Sequence, residues 1–155
     1  MKLNILKCHG SGNTFLLADE YSGQNPPVTA QQRAAISRTL CDHESGLGAD
    51  GILFCQDSQI ADYAMRMFNP DGSEAEMCGN GLRCAGRYAA EHLHKTTVSV
   101  ETPQAVLSVS QADPLMPGIA TYAADIGPVS SETASLPMQT THKTFRHQLI
   151  PELSD

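Results

Sequence analysis

A chain of 155 residues with 41% hydrophobic content is long enough for one proper core or two small lobes, which excludes a large multidomain enzyme. Ten basic residues against 17 acidic ones give a formal charge of -7, so no basic patch is available to neutralise phosphates, and nucleic acid or an anionic membrane is disfavoured as the main partner. No run is apolar enough to span a bilayer or to resemble a secretory signal.

The opening reads as strand, loop, strand. Leu3 to Leu6 is apolar, Gly10-Ser11-Gly12-Asn13 makes a tight loop, and Phe15-Leu16-Leu17 resumes the apolar run. Gly23 to Pro27 breaks the chain. Thr29, with Gln32 three residues later, is a capping-box signature, and Ala34 to Leu40 follow as a helix. Gly46 and Gly48 lead into a short strand at Ile52-Leu53-Phe54-Cys55. Asp62 to Phe68 reads as a strand covered on both faces, since only Arg66 interrupts the apolar set, and Asn69-Pro70-Asp71-Gly72 is a strong turn signal. After Cys78-Gly79-Asn80-Gly81, the residues Leu82, Ala85, Ala89 and Leu93 recur at helical spacing, with Arg83, Arg87 and Glu91 on the opposite face. The small residues Ala85, Gly86, Ala89 and Ala90 predict that this helix lies close against its neighbours. Val98 to Val100 and Val106 to Val109 read as paired strands, and Ile119 to Ile126 as one more. In the last thirty or so residues the apolar density falls and no periodicity persists.

The residues with chemical potential gather between Phe68 and Cys84. The five cysteines (8, 41, 55, 78 and 84) are odd in number, widely spread and free of any C-x-x-C pair, which points to reduced thiols and a cytoplasmic setting. Cys78 stands immediately before a glycine-rich helix start. The first backbone N–H groups of a helix lack intrahelical partners, and that end carries about half a positive charge, so the anion of a thiol there is stabilised. Gly79 and Gly81 remove side chains, so a substrate carboxylate could approach the same N–H groups. For an arbitrary cysteine a small buried filler is the commoner role; the setting turns the reading of Cys78 towards function. Cys8, Cys41 and Cys55 have no such setting and read as core or incidental, and Cys84, inside the helix, reads as structural. Asn13 and Asn69 taken alone are loop and turn formers, Asp71-Gly72 is turn chemistry, and Glu74 and Glu76 read as a solvated approach to the helix. Six histidines show no ligand spacing, so a metal site is disfavoured.

Three motifs in order carry a resemblance. Lys7-x-His9-Gly10-x-Gly12-Asn13-x-Phe15, Gly46-x-Gly48-x-Asp50-Gly51, and Phe68-Asn69-x-Asp71-Gly72-Ser73 followed by Cys78-Gly79-Asn80-Gly81-x-Arg83-Cys84 resemble the signatures of the diaminopimelate epimerase family, from residue 7 to about 88. Thr14 stands where that family usually has aspartate, and Asp50-Gly51 carries no site over. The resemblance implies a two-base epimerisation of LL- to meso-diaminopimelate, serving lysine and cell-wall synthesis, with no cofactor, neither pyridoxal phosphate nor metal. One cysteine thiolate removes the α-proton and a second thiol returns a proton to the opposite face. Cys78 matches the first-half catalytic cysteine; Asn13, Asn69, Gly79 and Asn80 match substrate-binding positions.

The expected architecture is α+β: a mixed, barrel-like sheet wrapped around the helix that begins at Gly79, one half of a two-domain epimerase fold. Residues 1–118 would form that domain and 119–155 the start of an incomplete second one. No cysteine follows Cys84, so the chain is expected to supply one of the two thiols and to be a poor epimerase alone. The expected partners are a small amino-acid substrate and either a second copy or a complementing domain. Two rivals stay open at this point: a racemase of another amino acid, and a non-catalytic domain that keeps the fold and binds amino acids weakly.

Overall fold

The computed structural model describes residues 2–128, 130–132 and 134, so most of the sparse C-terminal stretch lies outside the described residues. Its elements are β1 (Ile5–Gly10), β2 (Asn13–Asp19), α1 (Ala30–Leu40), β3 (Gly51–Gln56), β4 (Tyr63–Phe68), β5 (Glu74–Ala75), α2 (Gly79–Leu93), β6 (Thr97–Glu101), β7 (Val106–Ala112) and β8 (Thr121–Asp125). Every element read from the sequence is present. The sequence reading missed β5, a two-residue strand with too little pattern to register.

The strands form one mixed sheet in the order β1-β2-β3-β4-β6-β7-β8, with β5 on the end of β4. The β2–β3 and β4–β6 pairings are parallel and the others antiparallel. Both edge strands, β1 and β8, touch α2, so the sheet curls around that helix as expected for the α+β fold. The stretch in which a second domain was expected to open thus adds β8 to the edge of this sheet, antiparallel to β7.

Side chains alternate between two covered faces, which explains why the middles of β2, β3 and β4 are largely apolar. Phe15, Leu17, Leu53, Cys55, Met65 and Met67 face α2 and meet Leu82, Ala85, Ala89 and Ala90. Leu16, Ala18, Ile52, Phe54 and Phe68 face the other way, under Ala34, Ile36 and Leu40 of α1. Burying each of these larger side chains contributes about 1.5–3 kcal/mol. On the outer face Arg33 is buried, paired with Glu20 at 2.7 Å and set over the Phe54 ring at 5.3 Å.

The small residues of α2 have the predicted effect. A Cβ on Gly86 would lie 2.5–2.7 Å from the Val109 side chain, so only glycine lets the helix rest directly on β7.

Candidate active site

Strand register assembles the site. Phe15 of β2 pairs with Gly51 of β3, and Ile52 pairs with Phe68 of β4. The start of β2 (Asn13), the residue before β3 (Asp50) and the residue after β4 (Asn69) therefore lie at one end of three neighbouring strands. The N-terminus of α2 lies at the same end, where Asn80 Nδ2 donates to Asn13 Oδ1 at 2.7 Å.

The β1–β2 turn consists of Ser11 and Gly12 alone, both at positive φ (50° and 93°). Such turns match the twist of a hairpin and need residues that tolerate that region, which glycine does freely. The loop expected over residues 10–13 is thus tighter than the sequence suggested, with Asn13 already in the strand.

Cys78 is the N-cap of α2. Its backbone is extended (φ -148°, ψ 98°), and its Sγ accepts from Gly81 N–H at 3.3 Å. Leu82 N–H donates to Cys78 O at 2.8 Å and begins the helical ladder. The N–H groups of Gly79 and Asn80 donate to no group among the described residues. The two glycines of this turn differ. A Cβ at Gly81 would meet Leu53 Cδ2 at 2.9 Å and Cys78 Sγ at 3.2 Å, whereas at Gly79 the nearest atom is Ile126 Cγ2 at 3.9 Å. Gly81 is required by packing; Gly79 is not, and its missing side chain leaves the helix start approachable.

Asn69 lies at the same end of the sheet, but its side chain is engaged in its own turn. Its Nδ2 donates to Ser73 Oγ at 3.0 Å, while Asp71 Oδ1 accepts from Ser73 N–H and Oγ at 2.8 and 2.6 Å. Those Ser73 bonds hold the Asp71 carboxyl below its usual range, which agrees with turn chemistry for Asp71. Among the described residues, no hydrogen bond joins the Asn69 amide to Asn13, Cys78 or Asn80.

Two residues that sequence reasoning left aside belong to the cluster. Arg83, read as part of an exposed helix face, is half-buried; its Nη2 donates to Ser11 Oγ at 2.7 Å and to Asn80 Oδ1. Asp50 accepts from Thr14 N–H at 2.7 Å and from Asn13 Nδ2 at 3.4 Å. Both stand inside the motifs already noted, and that was the only available signal.

Cys84, read as structural, lies at the surface of a groove of about 200 Å³, which it lines with His9, Gly10, Arg83, Arg87 and Tyr122. A hydrogen bond with Cys8 holds the Cys84 thiol below the usual thiol range; burial opposes this, and the Arg83 and Arg87 guanidiniums assist it. The same contact, with burial, pushes Cys8 far up. Burial likewise raises Cys41 and, more strongly, Cys55, as expected of core thiols. Among the described residues no His, Cys, Asp and Glu side chains cluster in a way that could hold a metal ion, and no helix is long and apolar enough to cross a membrane.

The family model described as diaminopimelate epimerase matches residues 5–122. The diaminopimelate epimerase of Clostridium acetobutylicum is 45% identical over 155 residues, covering 100% of this chain and 46% of that protein. That of Enterococcus faecalis is 40% identical over 159 residues, covering 100% and 48%. The chain spans about half the length of the curated relatives it matches. Among solved structures, a PhzF-family phenazine biosynthesis protein of Bacillus anthracis superposes with a TM-score of 0.57 at 22% identity, covering 74% of this chain and 38% of that one. Methylitaconate-delta-isomerase does so with a TM-score of 0.57 at 14% identity, covering 79% and 40%. At these identities the likeness is one of fold.

Proposed function

The chain belongs to the diaminopimelate epimerase family, and from that premise we propose that it supplies the first of two cysteines that invert an α-carbon of diaminopimelate, from LL to meso, without pyridoxal phosphate or metal. The observation that carries this reading is Cys78 at the cap of α2, beside Gly79 and Asn80 N–H groups that no described group of the chain accepts. A substrate carboxylate seated on those N–H groups would be stabilised by the helix end. Its α-carbon would then lie beside Sγ, close enough for the Cys78 thiolate to remove the α-proton. Asn13 and Asn69 are proposed to hold the polar groups of the amino acid, since a side-chain amide can donate to a carboxylate and accept from an ammonium.

Inversion requires a proton donor on the opposite face, and this sequence contains no cysteine after Cys84. The second thiol is proposed to come from a second domain that follows β8; a second copy of the chain is the other candidate for a partner. The unbridged cysteines support a reducing, cytoplasmic setting.

The test is α-deuterium incorporation into LL-diaminopimelate in D₂O under reducing conditions, followed by NMR. Slow exchange with little meso product is the expected result, and Cys78→Ala is expected to lower it by about 10²–10⁴-fold. Exchange that survives the substitution would sink the role of Cys78.

A further inference from the structure

Four side chains from separate parts of the sequence form one directed hydrogen-bond chain. Arg83 donates to Asn80 Oδ1, Asn80 Nδ2 donates to Asn13 Oδ1 at 2.7 Å, and Asn13 Nδ2 donates to Asp50 Oδ2 at 3.4 Å. Arg83 is tied to Ser11 Oγ at 2.7 Å, and Asp50 to Thr14 N–H at 2.7 Å, so both ends are anchored on the β1–β2 hairpin.

The ends set the direction. A guanidinium can only donate and an ionised carboxylate can only accept, whereas each amide between them can do either, depending on which way it is flipped. With a donor-only group at one end and an acceptor-only group at the other, just one orientation of each amide satisfies all the links. Flipping Asn80 would set its NH₂ against Arg83, and flipping Asn13 would set its carbonyl against Asp50. The charges at the ends thus determine what the two asparagines in the middle present to the open side of the site.

We propose that Arg83 and Asp50 are positioning residues that lock the side-chain amides of Asn13 and Asn80 in one orientation and so fix which hydrogen-bonding groups meet the substrate. The substrate part rests on the function proposed above; the locking itself does not. The charge-assisted bond from Arg83 is the tight end of this lock, and the 3.4 Å contact with Asp50 is the looser one. A cation or carboxylate that merely packed locally would influence its own neighbour and no more.

The experiment is NMR of the side-chain NH₂ groups of Asn13 and Asn80 in the ¹⁵N-labelled chain, for wild type, Asp50→Asn, Arg83→Met and Arg83→Lys. Asp50→Asn replaces an acceptor-only group with one that can also donate, so both amide signals should shift and exchange faster with solvent, including that of Asn80, which does not touch Asp50. Arg83→Met should likewise move Asn13, and Arg83→Lys, which keeps a cationic donor, should restore most of the wild-type spectrum. Effects confined to the adjacent amide, or unchanged signals in folded variants, would overturn the proposal. Adding LL-diaminopimelate separates the two readings. Apparent affinity about tenfold weaker in Asp50→Asn and Arg83→Met supports the positioning role. Equal affinity in all variants overturns it. If diaminopimelate moves neither amide in the wild type while the variants behave as expected, the lock stands and the substrate reading falls.

Discussion

The two helices of this molecule are capped by different side chains. At α1, Thr29 accepts from Gln32 N–H at 3.3 Å and Gln32 Oε1 accepts from Thr29 N–H at 2.8 Å, a reciprocal capping box that satisfies donors within the chain. At α2 the cap is a thiol, a weaker acceptor, and it takes only Gly81 N–H. Neither helix has an acidic residue in its first turn, so the difference lies in the caps. Both starts leave their first two N–H groups, those of Ala30 and Gln31 in α1 and of Gly79 and Asn80 in α2, without an acceptor among the described residues. Those of α2 differ in lying beside a thiol, at a helix start bare of any side chain at Gly79. On the function proposed above, the open donors of α2 are the ones that receive a substrate carboxylate.

The sharpest way to break this contrast is through the two glycines of α2. Gly81→Ala should cost about 1–3 kcal/mol, because its methyl is forced against buried Leu53 and the Cys78 thiol. Gly79→Ala meets nothing closer than 3.9 Å, so its urea midpoint should stay at or slightly above that of wild type, since alanine is the better helix former. Its methyl would nevertheless stand before the open N–H groups and weaken the protection of Cys78 by diaminopimelate. Equal destabilisation by both substitutions would remove the distinction between a packing glycine and an access glycine.

Exchanging the caps gives a smaller effect. Thr29→Ala should lose about 1 kcal/mol of stability and leave the deuterium exchange unchanged. Cys78→Ser introduces a preferred capping residue, so stability should hold or rise while exchange is lost. A stability loss at Cys78→Ser equal to that at Thr29→Ala would mean that the thiol is an ordinary structural cap.

The smallest expected effect separates the cysteines of the two helices by pH. Cys84 in α2 has its thiol held down by Cys8 and the neighbouring arginines, so its reactive anion persists to lower pH than that of a free thiol. Cys41, the C-cap of α1, is raised by burial, so its anion forms only at higher pH. Alkylation followed by peptide mass spectrometry should therefore show Cys84 labelling at lower pH than Cys41. The reverse order would contradict the Cys8–Cys84 contact.

Much of this molecule is legible along the chain, because its signals are local. The capping box at Thr29, the turn at Asn69 to Gly72 and the apolar spacing from Leu82 to Leu93 depend on residues within a turn or two of one another. So do the apolar strands and the thiol before Gly79. The small residues of α2 even foretold a close approach, although Val109 as the contact could not be named. The tertiary structure decided which polar groups meet. Asn13 and Asn80 are 67 positions apart, and Asn13 and Asp50 are 37 apart. Their contacts depend on the parallel register of β2 with β3 and on where α2 lies across the curled sheet. The same packing moved Arg83 from an assumed solvent face into the site and brought Cys84 against Cys8. Hydrogen bonds are short-ranged and directional, so their partners are settled only once strand register and helix placement bring distant segments to within a few ångströms.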